Sequence, residues 1–210
     1  MPRGVDFRSK FATVDFSQSE AIGASLWDRQ PYVSATTVTL QFFTAVRNFL
    51  RDGNIEIASQ LSAGLHFLIQ AIRIVPIVRP DQRAALTAAN EGTLLSRADD
   101  LAQLFNDGVL TVKILQKIYA QYPAFMLLPG TGLVANQTSV TTTAQASNYA
   151  VVAGWGNPDN RAVYTLAQPI AVPPLTTLRV QLDWPVALTL EGGDLSLEVV
   201  LDGQMIRPKQ

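Results

Sequence analysis

The feature that most constrains the fold of this chain is the regular alternation of apolar and polar residues between Leu175 and Pro208. The first alternating run places its apolar side chains at Leu178, Val180, Leu182 and Trp184. The second places them at Leu195, Leu197, Val199 and Leu201. A period of two is typical of a strand with one buried face and one solvated face. Two such strands are marginal alone in water, so the rest of the chain must supply a second sheet.

Turn-forming residues divide this stretch. Pro185 lacks a backbone donor and is predicted either to end the first strand or to lie on a sheet edge. The run Gly192-Gly193-Asp194 predicts a turn into the second strand. Asp202-Gly203 predicts a further hairpin turn, after which Met205 and Ile206 resume extended structure.

Earlier segments supply further strand candidates and one helical region. Strands are predicted at 36–46, 54–59, 65–75, 109–119, 161–167 and 170–172. A short helical insertion is predicted at about 81–107. It begins with an Ala-rich segment at 81–90 that could be a short helix, and a second helical segment follows, with Ser96 as its N-cap and Gly108 after its end. Helices do not alternate with strands, which disfavours a parallel sheet. The sequence therefore predicts a mainly β protein, an antiparallel jelly roll or β-sandwich with a short helical insertion.

The domain organisation follows from these elements. Residues 1–30 are predicted to form an irregular N-terminal arm, and residues 31–210 a single jelly-roll domain. The arm carries three basic residues near its tip (Arg3, Arg8, Lys10) and aromatic residues that include Phe7 and Phe11. Either these aromatic side chains pack on the body of the domain, or the arm reaches a neighbouring subunit, nucleic acid or a membrane surface.

Composition narrows the classes of function. Only 16% of the residues are charged and the net charge is −1, so the chain has no overall basic field for nucleic acid. There is no cysteine, which excludes disulfides, thiolate metal sites and thiol catalysis. The first residues contain no long apolar run, so we expect no secretory signal, and the run 65–78 is too short and too polar to span a bilayer.

Residues that could support catalysis or bind metal have simpler interpretations. His66 is the only histidine and lies in an apolar strand, which favours a packed histidine over a member of a catalytic triad. The turn from Asn157 to Asn160 could hold Ca²⁺, but a turn of this composition needs no metal. The carboxylates of Asp183 and Glu198 lie on the solvated faces of their predicted strands. We therefore predict no catalytic residues, no metal site and no cofactor, and expect that the protein is not an enzyme.

Three stretches resemble the virion capsid proteins of the single jelly-roll type found in icosahedral, tailless bacteriophages. They are Ile55 to Val75 (IEIASQLSAGLHFLIQAIRIV), Asn157 to Ile170 (NPDNRAVYTLAQPI) and the ending LRVQLDWP…LSLEVVLDGQMIRPKQ. The resemblance implies a viral structural protein that self-assembles through jelly-roll subunits into an icosahedral shell, with no active site. It implies a location in the virion, after synthesis in the host cytoplasm. Its partners would be copies of itself and other virion proteins.

The resemblance also implies contacts between subunits through the N-terminal arm and through the loop from Thr131 to Pro158. Trp155 lies in a Gly-flanked part of this region, and Trp155, Asn157 and Asp159 are the candidate residues for a subunit interface or a ligand. In the arm, the candidate contacts to a neighbouring subunit, nucleic acid or an inner membrane are Arg3, Phe7, Arg8, Lys10 and Phe11.

Two alternative functions fit the same sequence. The first is a carbohydrate-binding or adhesion β-sandwich that stacks a sugar on Trp155. The second is an enzyme on a β-sandwich scaffold, using carboxylates such as Asp183, Glu191, Asp194 and Glu198. The first predicts a monomer or small oligomer with glycan affinity, and the second predicts a cleft with two convergent carboxylates.

Overall fold

A computed structural model describes residue 11 and residues 17–48, 51–77, 100–130, 134–139, 149–154, 163–190 and 193–209. For 134–139 and 149–154, only the backbone is described. The strands within these ranges are β1 (Ser19–Tyr32), β2 (Thr39–Phe42), β3 (His66–Ile77), β4 (Val109–Ile114), β5 (Lys117–Pro123), β6 (Val134–Ser139), β7 (Tyr149–Gly154), β8 (Thr165–Val172), β9 (Leu178–Asp183) and β10 (Leu195–Pro208). Residues 100–107 are helical (α1), and Ala124–Leu127 form a short 3-10 helix.

Eight of these strands form two four-stranded antiparallel sheets. Sheet A has the order β1-β10-β3-β8, and sheet B has the order β2-β9-β4-β5. Strands from the two ends of the chain pair in succession: β1 with β10, β2 with β9, β3 with β8, and β4 with β5. The pairs β3–β10 and β4–β9 complete the sheets, and β6 and β7 form a separate hairpin between β5 and β8. This wrapped order is that of a jelly roll, which confirms the predicted fold class.

The inner faces of the two sheets share one hydrophobic core. In β9, Leu178, Val180 and Leu182 are buried and alternate with more exposed residues, as the sequence predicts. In β3, the core includes Phe67, Ile69, Ile72 and Ile74. The described helix α1 also packs here: Leu101, Leu104 and Phe105 belong to the same core cluster. The predicted helical insertion is thus confirmed over 100–107, and its part from 81 to 99 lies outside the described residues.

The predicted N-terminal arm is too long. Residues 19–30 belong to β1, which pairs with β10 over its whole length from Ser19 to Tyr32. The alternation of β1 is hidden in the sequence because two of its buried residues, Asp28 and Gln30, are polar. A search for apolar residues at every second position therefore misses the strand.

Asp202-Gly203 is not a hairpin turn, and the prediction of one is wrong. β10 runs without interruption from Leu195 to Pro208, and its register against β3 shifts between Asp202 and Gly203. Such a shift marks a β-bulge, where one strand carries an extra residue. The glycine is required for a close approach of backbones: a Cβ at Gly203 would lie 1.9 Å from the carbonyl oxygen of Leu68.

Other strand boundaries also differ from the predictions. The segment predicted as one strand at 109–119 is the hairpin of β4 and β5, which turns at Leu115 with φ of 54°. The strands predicted at 161–167 and 170–172 form one strand, β8, from Thr165 to Val172. The strand predicted at 54–59 is absent from the described structure, where Ile57 makes only an isolated bridge to Gln60.

Candidate assembly surfaces

The residues predicted to make contacts fall mostly outside the part of the chain that the structure describes. The candidate residues outside the described ranges are Trp155, Asn157, Asp159, Arg3, Phe7, Arg8 and Lys10. Their predicted contacts remain predictions. Phe11 is the member of these sets whose surroundings are described.

Phe11 packs on the outer face of sheet A. It is 5% exposed and forms a small apolar cluster with Leu68, Ile206 and Ala171. Its ring meets the ring of His66 edge to face, with the ring centroids 5.2 Å apart. Of the two interpretations of the arm, the first therefore applies to Phe11, whose side chain packs on the body of the domain.

His66 begins β3 and lies partly buried beneath Phe11. Its Nδ1 atom is buried and has no hydrogen-bond partner. Burial lowers the pKa of His66 from its usual value of 6.5, and a hydrogen bond involving the backbone of Gly64 raises that pKa by less. The histidine is therefore a packed residue, as predicted, and is neutral in the folded protein near pH 7.

We expect His66 to make the folded protein less stable in mild acid. Because its pKa is lower in the folded than in the unfolded state, the unfolded state binds more protons below about pH 6.5. Stability is fully present above that pH and falls as the pH falls through it. Urea unfolding at pH 7.5 and at pH 5.5 should show a smaller loss of stability for His66→Gln than for the wild type. Equal losses in the two proteins would contradict the assignment.

The edge of sheet A at β1 is covered by the loop after β2. The N–H of Arg29 donates to the carbonyl of Asp52, and the N–H of Asn54 donates to the carbonyl of Trp27, at 2.8 and 3.1 Å. The side chain of Asn54 accepts from the Trp27 N–H at 2.7 Å and donates to the Ser25 carbonyl at 2.7 Å. An exposed strand edge is a site for pairing with other chains, and this loop occupies that edge from Ser25 to Arg29.

A buried carboxylate anchors the same loop. Asp28 is fully buried and accepts hydrogen bonds from the Phe43 N–H and from the Gln30 amide. The guanidinium of Arg47 lies 3.2 Å from Asp28 and donates to Gln30 at 2.8 Å. Burial raises the pKa of Asp28 above its usual value of 3.8, while these hydrogen bonds and Arg47 lower it by less. The network joins β1 to residues 43–47. Because its polar groups contact one another, we assign it a role in holding this loop in place.

The outer face of sheet A carries charges that are paired across strands. Arg29 on β1 lies 2.8 Å from Glu198 on β10. Arg73 on β3 donates to both carboxylate oxygens of Asp202, at 2.6 and 2.9 Å. Such partly exposed pairs stabilise a fold by about 0.5 kcal/mol each. Their charges cancel locally, so this part of the face presents little net field.

The outer face of sheet B is different, because its charges are separated. Its central row is uncharged and runs across all four strands as Gln41, Gln181, Thr111 and Gln121. At one end, Lys113 lies directly opposite Arg179 on the outer face. Lys117 begins the neighbouring strand β5, where it pairs with the inward-facing Ile114, and its ammonium lies 5.3 Å from the centre of the Tyr119 ring. Like charges directly opposite one another destabilise a sheet. The ion pairs found among the described residues involve other cations, so these three have no carboxylate partner there.

Apolar side chains surround this cationic end. Leu115, Ile118, Tyr119 and Leu175 are 47 to 60% exposed. The Leu115 N–H donates to the Thr177 carbonyl at 2.8 Å, which places the turn at 115 beside the segment that holds Leu175. We call the surface formed by these four residues together with Lys113, Lys117 and Arg179 the hairpin patch.

A second apolar surface lies at the opposite end of sheet B, by the β2 edge. Val33, Val38 and Val186 are 41 to 62% exposed. The backbone N–H of Trp184 donates to the Val38 carbonyl at 2.9 Å, which places the segment that leads to Val186 beside Val38. Asp183 ends β9 at the same place and accepts hydrogen bonds from the neutral side chains of Thr39 and Gln181, at 2.8 and 2.6 Å. We call the three valines with Asp183 the valine patch.

The sequence did not reveal these patches, chiefly because it placed Ile118 in the core. A single strand over 109–119 puts Ile118 in phase with Val112 and Ile114. The turn at Leu115 and the register shift after Val112 instead pair Ile118 with Lys113 on the outer face. The signal for this turn is weak, since Leu115 and Gln116 are not typical turn residues.

Two of the carboxylates considered for catalysis, Asp183 and Glu198, do not come together. Asp183 projects from the outer face of sheet B, whereas Glu198 lies on the outer face of sheet A and pairs with Arg29. A cleft of about 140 Å³ lies between β1 and the loop at 54–62, where the Ser62 hydroxyl donates to Glu56 at 2.7 Å. Within the described ranges, no group of three or more acidic or histidine side chains could hold a metal ion. No helix there is long and apolar enough to cross a membrane.

Comparison with protein-family models, with curated proteins and with solved structures finds no significant match for this chain.

Proposed function

We propose that this protein is a structural subunit of a virion shell, which assembles with copies of itself. The observation that carries the proposal is the strand order of the two sheets, β1-β10-β3-β8 and β2-β9-β4-β5. Jelly rolls serve as viral capsid domains, as lectin domains and as cupins. A fold by itself is only an analogy for function, so the proposal also depends on the surfaces of this molecule.

The described surface suits a subunit that buries area against neighbours. Seven large apolar side chains are exposed in two patches at opposite ends of sheet B. The core of a protein interface is depleted in charge and enriched in apolar and aromatic side chains. The low charged fraction of the chain, 16%, favours the same role.

The proposal includes the more specific predictions made from the sequence, which concern the kind of shell, the location and the partners. The shell would be that of an icosahedral, tailless bacteriophage, and the protein would lie in the virion with other virion proteins as partners. The first residues of the arm, with Arg3, Arg8 and Lys10, would be free to touch a neighbouring subunit, nucleic acid or an inner membrane. Phe11 would tether that arm to sheet A.

We expect the purified protein to form discrete oligomers or closed particles rather than monomers. Size-exclusion chromatography with light scattering gives the mass of each species, and negative-stain imaging shows its shape. Trimers, pentamers, hexamers or shells would support the proposal. A monomer over a wide range of protein and salt concentrations would contradict it. A monomer that binds glycans and loses them in Trp155→Ala would favour a carbohydrate-binding module instead.

A further inference from the structure

We infer that copies of this protein associate head to tail, with the hairpin patch of one copy seated on the valine patch of the next. The inference rests on the proposed function, because it presumes that the protein assembles with itself. It goes further by naming the two surfaces that meet and the kind of symmetry that they impose.

Charge is the first reason for this pairing. Lys113 and Arg179 lie directly opposite one another, and Lys117 begins the adjacent strand. None of the three has a carboxylate partner among the described residues. In the valine patch, Asp183 accepts from an amide and a hydroxyl, and no ion pair in the described part of the chain gives it a cation. Docking the two patches would place a carboxylate against cations that now face one another.

The apolar side chains are the second reason. Each patch combines exposed apolar residues with charges of one sign: aliphatic and aromatic residues with cations, and valines with a carboxylate. Burying such residues against each other removes apolar surface from water while pairing the charges. The phosphates of a nucleic acid would bind the cations, but they would not bury the apolar side chains of Leu115, Ile118 and Leu175. The mixture therefore favours a protein partner.

The same charges disfavour the simplest symmetric dimer through the hairpin patch. A two-fold axis brings the same surface of both copies together, so a cationic surface would face a cationic surface. Two different surfaces at opposite ends of sheet B instead give a heterologous contact. Contacts of this kind close into a ring or extend as a filament, depending on the rotation between successive copies.

A mixing experiment tests the two surfaces. Ile118→Asn removes apolar surface from the hairpin patch, and Val186→Asn removes it from the valine patch, without changing the charge of either. Each change should weaken self-association by about tenfold or more, because an amide without a hydrogen-bond partner would replace an apolar side chain in the contact. An equimolar mixture should regain association, but only as a species of two chains: one variant supplies its intact valine patch and the other its intact hairpin patch. Light scattering on each variant and on the mixture measures the masses.

Two further variants keep the test decisive. Val46→Asn changes a valine of similar exposure, 59%, that belongs to neither patch, and should assemble like the wild type. Leu175→Asn replaces Ile118→Asn if that variant fails to fold; Leu175 has φ of 54°, a conformation that Asn adopts more readily than Leu.

The outcomes separate this inference from the proposed function. A wild type that stays monomeric overturns both. A wild type that assembles while the two patch variants assemble equally well overturns the inference alone. So does a mixture of the variants that regains no association. Weaker binding of a labelled single-stranded oligonucleotide by Lys113→Glu, with assembly unchanged, would also overturn the inference and assign the cations to nucleic acid.

Discussion

Replacing Gly203 by alanine should lower the free energy of unfolding by about 3 kcal/mol, a large share of the stability of a typical domain. The added Cβ would lie 1.9 Å from the Leu68 carbonyl oxygen and 2.9 Å from the Leu68 carbonyl carbon. Both atoms belong to the backbone of β3, so no side-chain rotation relieves the contact. β3 lies inside sheet A, between β10 and β8, and moving it would disturb two ladders at once.

Gly23→Ala is the matched control, because it makes the same chemical change in β1, where a Cβ would meet nothing within 4 Å. We expect this variant to keep its stability or to gain about 0.5 kcal/mol from the reduced freedom of the unfolded chain. Urea unfolding of both variants, followed by circular dichroism, gives the comparison. Equal midpoints for Gly203→Ala and the wild type would show that β10 does not approach β3 so closely.

The bulge at Gly203 illustrates a general limit of sequence patterns. Asp-Gly is among the strongest local signals for a hairpin turn. Here the glycine instead serves a contact with Leu68, a residue more than a hundred positions away in the chain. A requirement set by a distant strand leaves no local trace that distinguishes it from a turn.

β1 was missed for a related reason. Its inward positions include Asp28 and Gln30, which are buried because Phe43 and Arg47 satisfy them. Polar residues inside a sheet erase the alternation by which a strand is recognised. The partners that make their burial tolerable follow a separate strand, so local patterns cannot predict them.

By contrast, the elements with apolar inward faces could be predicted. β3 and β9 were predicted within a few residues of their ends, and the predicted helical insertion ends at residue 107 as expected. The mainly β fold class followed from the number of strands and the absence of alternating helices. The hairpin patch could not be predicted, because the position of Ile118 depends on a turn without glycine or proline.

The other large effect should come from Trp184, which joins three parts of the molecule. Its indole N–H donates to the Leu104 carbonyl of α1 at 2.8 Å, and its ring meets Tyr32 of β1 edge to face at 4.9 Å. Trp184 itself lies just after β9. Trp184→Ala removes the ring from the core and should cost about 3 to 5 kcal/mol.

The smaller change Trp184→Phe separates the contributions of packing and of hydrogen bonding to this loss of stability. Phenylalanine keeps an aromatic ring but leaves the buried Leu104 carbonyl without its donor, which should cost about 1 to 3 kcal/mol. Val186→Ala, two residues away and 62% exposed, should change stability by less than about 0.5 kcal/mol. Unfolding midpoints in urea rank the three variants. If Trp184→Ala were no worse than Val186→Ala, α1 would not be held to the sandwich through this side chain, and its anchorage would have to lie in Leu101 and Phe105.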